Sequence, residues 1–107
     1  MLKNGKYVAW FKTPQGEGTG YVTLDDGRMT GGDAIIAYAG SYQQDGDNFT
    51  ATITTHRQAE GHASIFGIDD IDLTLSGRSL GKTVSCTGSA KQAPGVLLQA
   101  TLIKVDD

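Results

Sequence analysis

The residues able to do chemistry are few in this chain, and their spacing decides what each can offer. His56 and His62 stand on either side of a strand end, and Cys86 is the single cysteine. Metal binding needs His, Cys or carboxylate ligands converging on one point, and these residues follow no recognised ligand spacing. Cys86 shares the inward register of Val84, which suits a small buried hydrophobe. Ser64 lies near His62 but lacks the Gly-x-Ser-x-Gly turn into a helix that exposes a nucleophile. The run Gly16-Glu17-Gly18-Thr19-Gly20 is followed by no Lys-Ser/Thr and leads into a strand, so it is no phosphate cradle. Its glycines are expected at a bend or bulge where backbones approach closely. Asp69, Asp70 and Asp72 resemble a carboxylate pair for acid–base work, yet Asp70 and Asp72 fall on the polar face of an alternating strand. The pair Asp45 and Asp47, around Gly46, has the composition of a hairpin tip. No catalytic constellation emerges, and neither a metal nor a cofactor is expected.

These side chains need a scaffold, and composition restricts which. The chain has 107 residues, including 15 glycines and 2 prolines, about twice the usual ~7% glycine. One domain spanning residues 1–107 is expected. The apolar stretches are only a few residues long, so no membrane helix is expected. The start carries no secretory pattern, and with one cysteine a reduced cytoplasmic setting is expected. Net charge is −3 with nine scattered basic residues, which is not the footprint of direct nucleic-acid binding.

Hydrophobicity alternates with a period of two almost everywhere. Phe49, Ala51, Ile53 and Thr55 alternate with Thr50, Thr52, Thr54 and His56; Ile71, Leu73 and Leu75 alternate with Asp72, Thr74 and Ser76. Such half-buried patterns predict antiparallel strands. Strands are expected over 6–12, 20–24, 28–30, 36–43, 48–56, 71–76, 83–89 and 96–105. Turns are expected at Asp25-Asp26-Gly27-Arg28, Gln44-Asp45-Gly46-Asp47, Gly31-Gly32-Asp33 and Pro94-Gly95. A weak echo relates Gly40-Ser41-Tyr42 to Ser76-Gly77-Arg78, each reading as a strand that ends near a glycine. The long connection over 57–68 is expected to tuck Ile65 and Phe66 under the fold.

Short strands joined by tight turns predict an all-β antiparallel meander closed as a small barrel or a sandwich. Phe49, Ile53, Leu73 and Leu75 belong to its core, joined by Tyr7, Phe11 and Leu98. Ala9, Ala51, Cys86 and Ala100 are small inward candidates that would leave room for an apolar ligand. Val8, Trp10, Leu97, Ile103 and Val105 take the opposite register and are expected outside, as a patch suited to a two-fold homodimer.

The stretches Asn4-Gly5-Lys6-Tyr7, Gly18-Thr19-Gly20, Asp26-Gly27-Arg28-Met29-Thr30-Gly31-Gly32-Asp33 and Tyr38-Ala39-Gly40 resemble the GrlR family. These are small bacterial regulators named for the negative regulator of type III secretion. The likeness covers residues 3 to about 47 well and the remainder in outline. It implies an eight-stranded up-and-down barrel of the lipocalin or calycin kind, assembled as a homodimer. It also implies a non-enzymatic protein that restrains a transcriptional activator by contact through an acidic run. By position that run falls on Gln44-Asp45-Gly46-Asp47, so Asp45 and Asp47 are the partner-binding candidates. The alternative from another class is a lipocalin-like carrier of a small apolar ligand.

Overall fold

The computed structural model describes residues 3–14, 16–32, 36–57 and 71–105. They form β1 (Gly5–Thr13), β2 (Gly16–Asp25), β3 (Arg28–Gly32), β4 (Ile36–Asp45), β5 (Asn48–Arg57), β6 (Asp72–Leu80), β7 (Thr83–Ala90) and β8 (Ala93–Lys104). Each strand pairs antiparallel with the next, and β8 returns to pair with β1, which closes the barrel. This is the all-β, eight-stranded, lipocalin-like architecture expected. Among the described residues there is no helix. Closure leaves the sheet without a continuous exposed edge.

The period of two sorts side chains to the two sides of the wall. Inside lie Tyr7, Leu24, Met29, Phe49, Val84 and Leu98, all essentially inaccessible, with Ile53, Leu73, Leu75 and Leu102 beside them. Ala9, Ala51, Cys86 and Ala100 are also buried in this one cluster, and Phe11 packs against it half-buried. The core residues expected from the alternation are thus buried, Phe11 only partly, and Val22, Leu24, Met29 and Val84 join them, while Ile65 and Phe66, expected beneath the fold, lie outside the described residues.

Tight turns set the register. At β2–β3, Asp26 and Gly27 both have positive φ, 49° and 88°, the type I′ geometry that matches strand twist. At β4–β5, Gly46 has φ 62° and Asp47 does not join it, which is the type II′ form.

Four expectations shift. The strand β2 starts at Gly16 and pairs with β1 without interruption from Thr13↔Gly16 onward, so the glycine-rich run is neither bend nor bulge. Gly20 there sits close to the Gly32 carbonyl and the Tyr38 ring, so it leaves room for an aromatic side chain. Gly31 and Gly32 belong to β3, where the sequence suggested a turn; the rest of that turn lies outside the described residues. Gly77 lies inside β6, and the turn comes later, at Gly81-Lys82. A Cβ on Gly77 would collide with the Ser85 carbonyl oxygen, so strand proximity, not turning, requires glycine. Pro94-Gly95 lies within β8, the turn being Lys91-Gln92. Between Gly88↔Leu98 and Ala90↔Ala93 the ladder shifts register, and proline, having no N–H, is tolerated where a ladder is interrupted.

Candidate functional site

The β4–β5 tip carries Asp45 and Asp47, both exposed as expected. Asp45 pairs with Asn48 across the turn. The tip does not stand alone. The Ser79 N–H donates to the Asp47 carbonyl at 2.8 Å, and Gln44 Nε2 donates to Ser79 Oγ at 2.7 Å. Behind it the Tyr42 and Phe49 rings stack with centroids 5.7 Å apart. The neighbouring β2–β3 tip is tied to the same strand, because Tyr42 N–H donates to the Gly27 carbonyl at 2.8 Å. That second tip brings Asp25 and Asp26 to the same end of the barrel, and Asp26 exchanges two hydrogen bonds with Asn4, at 2.9 and 3.0 Å. A hairpin braced this way holds in place the backbone that carries Asp45 and Asp47, which lowers the ordering cost of contact with a partner.

The other chemical candidates separate. Cys86 is buried, its Sγ donating weakly to the Ala100 carbonyl at 3.6 Å, and burial pushes its thiol up to about 11. A thiol in that state is a packing element, since the thiolate is the reactive form. His56 is exposed on β5, and His62 lies outside the described residues. So do Ser64, Ile65, Phe66, Asp69 and Asp70. Asp72 is exposed and stitches the β7–β8 turn: its N–H donates to Gln92 Oε1 at 2.9 Å, and Gln92 Nε2 donates back to its carboxylate at 3.0 Å. Among the described residues no three His, Cys, Asp or Glu side chains gather closely enough to hold a metal ion, and no buried side-chain polar atom lacks a hydrogen-bond partner.

Two features lie on the outer wall. The first is apolar. Trp10, Tyr21, Ile103 and Val105 are 37%, 52%, 48% and 50% exposed. Val8 lies between Tyr21 and Ile103 in register, so the patch is continuous across β8, β1 and β2. The Lys6 ammonium lies over the Tyr21 ring, 4.6 Å from its centroid. Leu97 is also exposed as expected, farther along β8. The second is a shallow groove of about 420 Å³ beside the β7–β8 register shift, lined by Thr74, Ser76, Thr87, Ser89, Pro94 and Leu97.

Sequence reasoning missed Ser79, Gln44 and Tyr21. Ser79 was legible had the inward series Leu73, Leu75 been continued through Gly77. Tyr21 was legible as the alternate of Val22. Gln44 carried no signal, because only the fold brings it to Ser79.

Comparison of the sequence with known family models and with curated proteins finds no match.

Proposed function

We propose that this protein is a non-enzymatic regulator that works by protein contact, with Asp45 and Asp47 meeting a basic surface on its partner. The observation that carries the reading is the braced acidic tip: two exposed carboxylates on a turn held by Ser79 and Gln44. The resemblance to the GrlR family supplies the finer content, a cytoplasmic homodimer that restrains a transcriptional activator of the kind linked to type III secretion. The apolar patch on β8, β1 and β2 supports self-association. The rival reading, a carrier of a small apolar ligand, has less support, because Tyr7, Phe49 and Leu98 occupy the interior and the small residues Ala51 and Ala100 are packed within the same cluster.

The test is association with the candidate activator, measured by surface plasmon resonance at two salt concentrations for wild type and the Asp45→Asn/Asp47→Asn variant. Exposed tip charges act mainly on encounter. The variant is expected to associate more slowly and with a shallower salt dependence, at unchanged stability within about 0.5 kcal/mol. Identical on-rates and salt slopes would reduce the tip to a turn. Binding of a small apolar ligand that is lost in Ala51→Phe or Ala100→Phe would favour the carrier.

A further inference from the structure

The chain holds two asparagines, Asn4 and Asn48, in opposite chemical settings. Asn48 pairs with Asp45 in the β4–β5 ladder and is followed by Phe49, a bulky side chain buried in the core. Asn4 is exposed and is followed by Gly5. Without a Cβ, Gly5 leaves its backbone nitrogen open to approach by the side-chain amide carbon of the residue before it. In the closed barrel that amide is occupied elsewhere. Asn4 Nδ2 donates to Asp26 Oδ1 at 2.9 Å, and the Asp26 N–H donates to Asn4 Oδ1 at 3.0 Å. Both ends of the amide are thus held against the β2–β3 turn, 22 residues away in sequence, instead of lying free beside the Gly5 nitrogen. Both bonds are exposed to solvent, so the clasp opens without the barrel unfolding.

We propose that Asn4 is a site of spontaneous deamidation, restrained by its clasp to Asp26 and irreversible once it has occurred. The Gly5 backbone nitrogen gives its proton to solvent hydroxide and attacks Asn4 Cγ. An N–C bond forms, the Cγ–Nδ2 bond breaks, and the amide nitrogen leaves as ammonia with a proton taken from water. The resulting cyclic succinimide takes up a water molecule at either of its carbonyls, giving aspartate or isoaspartate; nothing is oxidised or reduced. Neither product restores both bonds of the clasp. In aspartate an oxygen stands where Nδ2 donated, and an ionised carboxylate has no proton to offer Asp26. In isoaspartate the main chain gains a methylene just before β1, which offsets the side chain from the Gly5↔Leu24 register. Either product adds a negative charge to the end of the barrel that carries Asp25, Asp26, Asp45 and Asp47, whose two turns are tied through Tyr42 and Gly27. The chain therefore keeps a chemical record of how often that clasp has opened.

Incubation in mildly alkaline buffer, where loss of the Gly5 proton is favoured, reads the proposal: ion-exchange chromatography follows the added charge and peptide mapping locates it. Folded wild type is expected to gain the charge at Asn4 and none at Asn48. Asn4→Gln is expected to gain none there, because the longer side chain must close a larger and slower-forming ring. Asp26→Gly removes the carboxylate that holds Nδ2, and glycine suits the positive φ of 49° at that position. When folded, it is expected to deamidate about three- to tenfold faster than wild type, the equilibrium factor of about one exposed hydrogen bond. In denaturant the two are expected to react at the same rate. Leu73→Ala, less stable in the core but with the clasp intact, is expected to keep the wild-type rate while it remains folded. Equal folded rates for wild type and Asp26→Gly overturn the clasp as the restraint. A Leu73→Ala rate matching that of Asp26→Gly overturns it too, because global unfolding would then expose the site. A wild-type chain that keeps its Asn4 amide in denaturant overturns the site itself.

Discussion

The wall made by β8, β1 and β2 and the wall made by β4, β5 and β6 are built on the same inner plan and finished differently outside. Inside, Ala9 and Leu102 on the first do what Ala51 and Leu73 do on the second, all buried in one cluster. Outside, the first shows Val8, Trp10, Tyr21 and Ile103. The second shows Ser41, Thr50, Thr52, Thr54, Thr74 and Ser76, all exposed. Thr52 pairs with Ser41 on one side and Thr74 on the other, so hydroxyls form continuous rows. β-Branched residues favour the pleated backbone whichever way they point; threonine keeps that benefit while presenting a polar group to water. The inner face thus specifies the fold, and the outer face is free to differ in what it meets.

The largest test of that separation lies in the core. Leu73→Ala and Leu102→Ala, one behind each wall, are each expected to lose about 2–5 kcal/mol in denaturant unfolding. A Leu102→Ala cost below about 1 kcal/mol would mean that the apolar wall derives its order from outside contacts instead.

A smaller effect concerns Cys86, which faces the core from β7 between the two walls. Its folded thiol titrates near 11 against a reference of 9.0. Because the folded state holds this proton more tightly, its contribution to stability is complete below pH 9 and disappears as pH rises toward 11. The loss is at most about 2–3 kcal/mol. Cys86→Ala is expected to flatten that part of the pH–stability curve, and native Cys86 to resist thiol reagents at pH 8 until the chain unfolds. Rapid native-state labelling would show that the barrel opens locally at β7.

The smallest effect distinguishes the walls directly. Thr52→Val on the hydroxyl wall and Trp10→Thr on the apolar wall are each expected to change monomer stability by less than about 1 kcal/mol. Only Trp10→Thr should weaken self-association, as seen by sedimentation. Equal effects of the two on association would dissolve the contrast.

Much of this was legible in the order of residues. The strict alternation of Phe49, Ala51 and Ile53, and of Leu73 and Leu75, placed two strands and their buried faces, and Asp-Gly pairs placed two hairpins. What stayed hidden came from glycine's two uses. Gly46 turns the chain with a positive φ, whereas Gly77 runs straight and lets a neighbouring strand come close; in sequence the two look alike, which cut β6 short. Pro94-Gly95 misled similarly, since an interrupted ladder admits proline as readily as a turn does. The acidic tip was visible through Asp45 and Asp47, but its brace was not. Ser79 and Gln44 are far apart along the chain and meet only because β4 and β6 both flank β5.

The pairing of β1 with β8 also carries a consequence for how the molecule assembles. Tyr7 meets Lys104 only after nearly the whole chain has been gathered, so the contact that completes the ring has the greatest loop-closure cost in the fold. Until the last strand arrives, Val8 and Trp10 border an unpaired edge, and a nascent chain in that condition is prone to pair with another. The rate of ring closure therefore sets how long each newly made molecule is vulnerable to aggregation. Substitutions that slow β8 in joining β1 should lower the yield of folded protein even where the finished barrel is as stable as before.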